Sequence, residues 1–177
     1  MKRANFTIKG QPSSFMLFSA EPPFEDAPGK PGPKVKDEAP RKVAESHLHR
    51  DRATGKIAIP AHNLRKALQH AISFMPRRRG VSMKKMANTL MVEPAYLTLT
   101  PQTWTIDARR SGAGAMNYRP RFDDWACSGA IEYDEEIFSD EQIRALLDYA
   151  GKYSGLGAWR FGNGGPCGRF QVTEWRT

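Results

Sequence analysis

Two stretches of this 177-residue chain repeat apolar side chains with the period of an α-helix, and each lies between stretches that alternate like a strand. The first stripe is Leu64, Ala67, Leu68, Ala71, Ile72 and Met75, with Arg65, Lys66, Gln69 and His70 on the opposite face. Pro76 stops this helix, because the residue before a proline is pushed out of the α region. The second stripe is Ile143, Leu146, Leu147 and Ala150. Ser139 opens it, with Gln142 at the capping-box position and Asp140 and Glu141 in the first turn. Gly151 is placed to cap its C-terminus.

The flanking strands are read from period-two alternation. Phe6 and Ile8 point inward from 5–9, and the 15–18 segment continues that strand after a kink at Pro12. A short strand at 55–60 runs into the first helix. In 89–100 Leu97 and Leu99 face the core, with Tyr96, Thr98 and Thr100 outward and a bulge or edge at Glu93-Pro94. Cys127, Ile131 and Tyr133 share one face of 125–134, and Phe170 and Val172 face inward from 169–175. The expected order is strand 5–9, helix 61–75, strand 89–100, strand 125–134, helix 139–150, strand 169–175. That is an α+β, ferredoxin-like (RRM-like) β-α-β-β-α-β pattern. Right-handed crossovers then place both helices on one face of a four-stranded antiparallel sheet, with long basic loops around it. The other face, with Asn5, Thr7, Lys9, Tyr96, Thr98, Arg169, Gln171 and Thr173, is polar and poor in aromatics.

One domain spanning 1–177 accounts for the length. The proline-rich 20–46 segment is expected to be an exposed loop insertion, its prolines 22, 23, 28, 31, 33 and 40 excluding regular structure. Lys and Arg outnumber Asp and Glu by 27 to 19, a net charge of +8, which favours an acidic partner such as nucleic acid. No apolar run has the length of a membrane span and no signal-peptide pattern opens the chain. Cys127 and Cys167 lie far apart without a CxxC, as reduced thiols would. A cytoplasmic protein with no membrane partner, metal or cofactor is expected.

Three loops concentrate cations. Arg77, Arg78, Arg79, Lys84 and Lys85 crowd one segment with no acid among them, which suits phosphate contacts and also suits a solvated loop. A second loop mixes Arg109, Arg110, Arg119 and Arg121 with glycines and Tyr118. Arginine pairs with phosphate and stacks on bases, and tyrosine offers a stacking platform; a plain hairpin tip is the competing reading. The third runs from Tyr153 to Phe170 and interleaves Gly155, Gly157, Gly162, Gly164, Gly165 and Gly168 with Trp159, Arg160, Phe161 and Arg169. Glycines allow φ > 0 and close approach, and bare N–H groups beside cations suit phosphate. A flexible linker is the alternative. If the glycines serve a ligand, a Cβ at Gly157 is expected to weaken binding while the fold persists. His47, His49 and Asp51 read as a solvated turn, since no third ligand sits at metal spacing.

The segment Ile59-Pro60-Ala61-His62-Asn63-Leu64-Arg65-Lys66-Ala67-Leu68 resembles the Ile-Pro-Gly-x-x-Leu-Arg-x-x-Leu helix start of the RAMP superfamily, with Ala61 where glycine is usual. The C-terminal Gly-Leu-Gly and Gly-Arg-Phe-Gln-Val resemble that superfamily's glycine-rich loop and last strand. These are ferredoxin-like RNA-binding subunits of CRISPR effector complexes. The chain also resembles short stand-alone members found in bacteriophages. The resemblance implies that Pro60, Asn63, Arg65 and Lys66 face an RNA backbone. It also implies that the 109–121 loop sits where a base-splitting thumb emerges and that 155–168 is the glycine-rich loop.

The expected function is therefore non-catalytic binding of single-stranded nucleic acid, RNA before single-stranded DNA. The protein is expected to be a homo-oligomer or part of a ribonucleoprotein assembled along the strand as a CRISPR-type backbone subunit. Three alternatives remain open. One is a metal-independent RNA endonuclease using His47, His49, His62 or His70 as base. The others are a phage single-stranded-DNA-binding protein and a decoy or assembly protein whose basic surface meets an acidic partner.

Overall fold

The computed structural model describes residues 1–18, 39–76, 82–110, 114 and 116–177. Among these residues it is a mixed α+β protein built on several antiparallel sheets and four α-helices. In chain order these are β1 (Lys2–Gly10), β2 (Met16–Leu17), α1 (Pro40–Glu45), β3 (Ala58–Pro60), α2 (Ala61–Ala71), α3 (Met83–Asn88), β4 (Met91–Glu93), β5 (Tyr96–Thr98), β6 (Thr105–Arg110), β7 (Met116–Phe122), β8 (Ala126–Tyr133), α4 (Asp140–Tyr149) and β9 (Phe170–Arg176).

The main sheet has the order β4-β8-β1-β9, with every neighbouring pair antiparallel. Ala4, Phe6 and Ile8 of β1 are buried on one face. They share a core cluster with Leu64 and Leu68 of α2 and with Ile143, Leu146 and Leu147 of α4. Both stripes expected from the sequence are therefore the buried stripes, and truncating a core leucine such as Leu68 to Ala costs about 2–5 kcal/mol. The opposite face carries a polar network in which Thr7 meets Ser128 at 2.9 Å and donates to Glu174 at 3.1 Å. No helix among the described residues is long and apolar enough to cross a membrane.

The capping box of α4 forms, with the Ser139 hydroxyl accepting from Gln142 N and Gln142 Oε1 accepting from Ser139 N. Gly151, however, is not the C-terminal cap. The helix runs on through a π-turn, Ala150–Ser154, and the left-handed residue that ends it is Gly155 at φ 71°. Gly155 N donates to Ala150 O at 2.8 Å, one residue beyond α spacing. Gly151 is needed instead because a Cβ there would strike the Phe170 carbonyl of β9. Met75 is extended ahead of Pro76, as the proline requires.

The strand count exceeds the four expected. The 89–100 strand divides at Pro94, whose missing N–H interrupts a ladder. Only β4 joins the main sheet; β5 pairs with β3, yet Tyr96 and Thr98 still line one cavity with Thr7 and Ser128 of the polar face, and Leu97 and Leu99 are buried. The 15–18 segment does not prolong β1. A turn closed by Ser14 N donating to Gln11 O reverses the chain, and Met16 and Leu17 pair with Phe122 and Arg121 of β7. The described ends of the basic segment 109–121 belong to an antiparallel hairpin pair, β6 with β7, in a second sheet of order β2-β7-β6; residues 111–113 and 115 lie outside the described residues. Pro40, expected to exclude regular structure, opens α1; a proline in the first turn lacks a donor that the helix does not use there. Residues 19–38, and with them the remaining prolines of the 20–46 insertion, lie outside the described residues.

Candidate nucleic-acid interface

The glycine-rich segment is folded against β2. Ala158 N donates to Leu17 O at 2.7 Å and Gly168 N to Phe15 O at 2.9 Å. Within the segment Leu156 N donates to Gly168 O, Phe161 N to Cys167 O and Cys167 N to Trp159 O. A linker makes no such set of bonds. The bonds also correct the expectation of a bare phosphate cradle: most of these N–H groups are already used inside the chain. Gly157 sits at φ 82°, and a Cβ there would run into the Leu17 carbonyl and lie 3.0 Å from Met16 Cγ. Its absent side chain serves the docking of the segment, so the expectation that the fold would tolerate a Cβ there is overturned.

The segment presents Trp159. This residue is 53% exposed and holds φ 52°, a left-handed conformation uncommon for a bulky side chain. Such strain persists where the surroundings enforce it, and it clusters at ligand sites. The enforcing contacts here are Ala158 N to Leu17 O before it and Cys167 N to Trp159 O on it.

The hairpin supplies cations to the same place. Antiparallel register sets Asp107 opposite Arg119 and Arg109 opposite Asn117. The Arg109 guanidinium lies 4.7 Å from the Trp159 ring and 5.3 Å from Phe15, and Arg121 lies 3.8 Å from Phe15. Asp107, only 8% exposed, accepts from Arg109 Nε at 2.6 Å and from its terminal nitrogen at 3.0 Å, and Arg121 approaches it at 3.8 Å. This bidentate grip holds the guanidinium plane and raises the Arg109 pKa further, so the cation is fixed in place and in charge. Arg119 donates to Phe18 O at 3.4 Å. A cavity of about 260 Å³ opens between Leu17, Asp107, Arg109, Arg110, Arg119 and Trp159.

A second, smaller cavity of about 100 Å³ is lined by Met16, Phe18, His49, Asn63, Gly157 and Arg160. Leu17 lines the first cavity and its neighbours Met16 and Phe18 the second, as strand alternation requires. The two cavities therefore flank β2. The first turn of α2, with no side chain capping it, borders the second through Asn63.

The sequence-expected residues thus divide. Arg109, Arg110, Arg119 and Trp159 meet in one cavity, and Asn63, Gly157 and Arg160 in the other. Arg121 joins the first group through Asp107 and Phe15. Arg169 lies apart, over the exposed ring of Phe161 at 5.0 Å, and Gly155 is a buried helix terminator. Tyr118 pairs with Ala108 on the hairpin, while Arg65 and Lys66 on α2 and Lys84 and Lys85 on α3 line neither cavity. Arg77, Arg78 and Arg79 lie outside the described residues.

Sequence reasoning missed Phe15 and Asp107, and it named His49 only as part of a turn or as an alternative base. Phe15 lies in an apolar run that reads as strand, and nothing local marks it as an arginine platform. His49 reads from the sequence as part of a solvated turn; its ring packs 5.1 Å from Phe18 and lines the second cavity. Burial, then the charge of Arg119 and then His49, lower the pKa of nearby His47, so it is neutral near pH 7. Both cysteines are buried, and burial pushes the Cys127 thiol up to about 12. Neither a family model nor a curated protein matches the chain.

Proposed function

We propose that this protein binds single-stranded nucleic acid, RNA in the first instance, without cleaving it. One observation carries the reading. Trp159, half-exposed in a left-handed conformation, is flanked by an arginine held in register by a buried carboxylate. An unpaired base has a π-face for the indole, and the adjoining phosphates suit Arg109, Arg110 and Arg119.

Two further features support the reading. The strand order β9-β1-β8-β4, with α2 following β1 and α4 following β8, suits a ferredoxin-like core embellished by two small sheets. The hairpin β6–β7 occupies the stretch where the RAMP resemblance puts a thumb, and the resemblance favours RNA and assembly along a strand as a backbone subunit.

The test is a fluorescence-anisotropy titration with single-stranded RNA, single-stranded DNA and duplex DNA at several salt concentrations. Single strands should bind more tightly than duplex, with log affinity falling by about 0.7 per phosphate contacted for each decade of salt. Trp159→Ala should weaken binding about tenfold, the scale of one lost base stack. Tight binding that Trp159→Ala leaves unchanged refutes the reading.

A further inference from the structure

A second group of aromatic rings lies beyond Trp159, where the π-turn after α4 meets the C-terminal end of α2. The Phe74 and Tyr153 rings stack at 4.6 Å with an interplanar angle of 28°. Tyr149 follows Tyr153 at 6.0 Å, and His70 meets the edge of Phe74 at 5.6 Å. Phe74 is 44% exposed. Apolar rings that served only the core would be buried more completely, as Trp125 and Phe170 are. Lys152 Nζ stands 5.0 Å from the Tyr153 ring, so the rings carry their own cation.

The glycine-rich segment connects this group to the cavity at Trp159. Phe161 is 43% exposed, with Arg169 over its ring. The next residue, Gly162, lies against the helix junction: a Cβ there would sit 3.0 Å from Ser154 O and 3.3 Å from His70 Cε1. Rings with adjacent cations therefore recur at exposed Trp159 with Arg109, at exposed Phe161 with Arg169, and at half-buried Tyr153, stacked on exposed Phe74, with Lys152. The π-turn is part of the arrangement. Its wider spacing carries Tyr153 onto Phe74, and π-turns recur at functional sites.

We propose that the Phe74–Tyr153 stack is a second base-stacking station for the same single strand, reached from Trp159 across Phe161. The inference rests on the single-strand reading above and adds to it a longer track with a defined far end. The occupant is an unpaired base: alternating rings and cations match the alternation of base and phosphate along a strand.

The experiment uses the full chain and labelled oligouridylates of about 4 to about 16 nucleotides, the range of site sizes in single-strand-binding folds. Phe74→Leu keeps apolar bulk and removes the π-face. It should bind the shortest oligomers as wild type does and lose roughly tenfold affinity for the longest. Trp159→Ala should lose affinity at every length. Tyr153→Leu should reproduce the Phe74→Leu pattern, and unchanged melting temperatures should accompany both leucine variants. If both leucine variants bind every length as tightly as wild type while Trp159→Ala binds weakly, the second station does not exist and the single-strand reading stands. If wild type binds no oligouridylate at any length, both ideas fail together.

Discussion

Gly157 offers the sharpest test of what the glycine-rich segment is for. Alanine at this position must hold φ 82°, which costs an L-residue about 1–2 kcal/mol. Its Cβ would also run into the Leu17 carbonyl, the acceptor of the 2.7 Å bond from Ala158 N. Displacing that carbonyl loses a further hydrogen bond, worth about 1 kcal/mol net. The total is about 2–3 kcal/mol, and at about 2–4 °C per kcal/mol for a chain of this size the melting temperature should fall by about 4–12 °C. Gly164 is the internal control. It holds φ 77°, and a Cβ there would have no heavy atom within 4 Å, so Gly164→Ala incurs the backbone cost alone. Melting both variants by circular dichroism separates the close approach from the conformational cost. Equal shifts for the two would show that the Leu17 contact contributes nothing. A wild-type melting temperature for Gly157→Ala would refute the docking argument altogether.

Two other outcomes follow from the same geometry. His47 has a folded pKa below its ordinary 6.5, chiefly through burial, so the folded state resists protonation that the unfolded chain accepts. The stability this confers is present above pH 6.5 and is lost as pH falls through the folded value; the drop in urea midpoint from pH 7.5 to 5.5 should be smaller in His47→Gln than in wild type. RNA incubated in EDTA with wild type, or with variants at His47, His49, His62 or His70, should stay intact on a denaturing gel, and wild-type cleavage abolished by one of these substitutions would overturn the non-catalytic reading.

The two longer helices, α2 and α4, were legible in the sequence because their determinants are local, whereas α1 and α3, six residues each, fall in segments read as loops. The stripe from Leu64 to Ile72, the Ser139–Gln142 capping box and the stop before Pro76 each depend on residues within a few positions, and the structure keeps all three. The long strands β1, β8 and β9 were legible for a similar reason, being long enough to display alternation. The short strands were legible as extended segments but not in their pairing. Met16–Leu17, Ala58–Pro60 and Tyr96–Thr98 all lie in stretches that read as strand, but their partners, β7 for the first and one another for the other two, are chosen by non-local pairing. Composition pointed to the arginines of 109–121 and to Trp159, but only tertiary structure places Arg109 over Trp159 and Arg121 over Phe15, because register and chain reversal decide which side chains meet. The glycines show the same division. Their need for φ > 0 is a property of the residue type, readable at once; that Gly157 exists to let Leu17 approach depends on where β2 runs, and no residue near Gly157 in the chain encodes that.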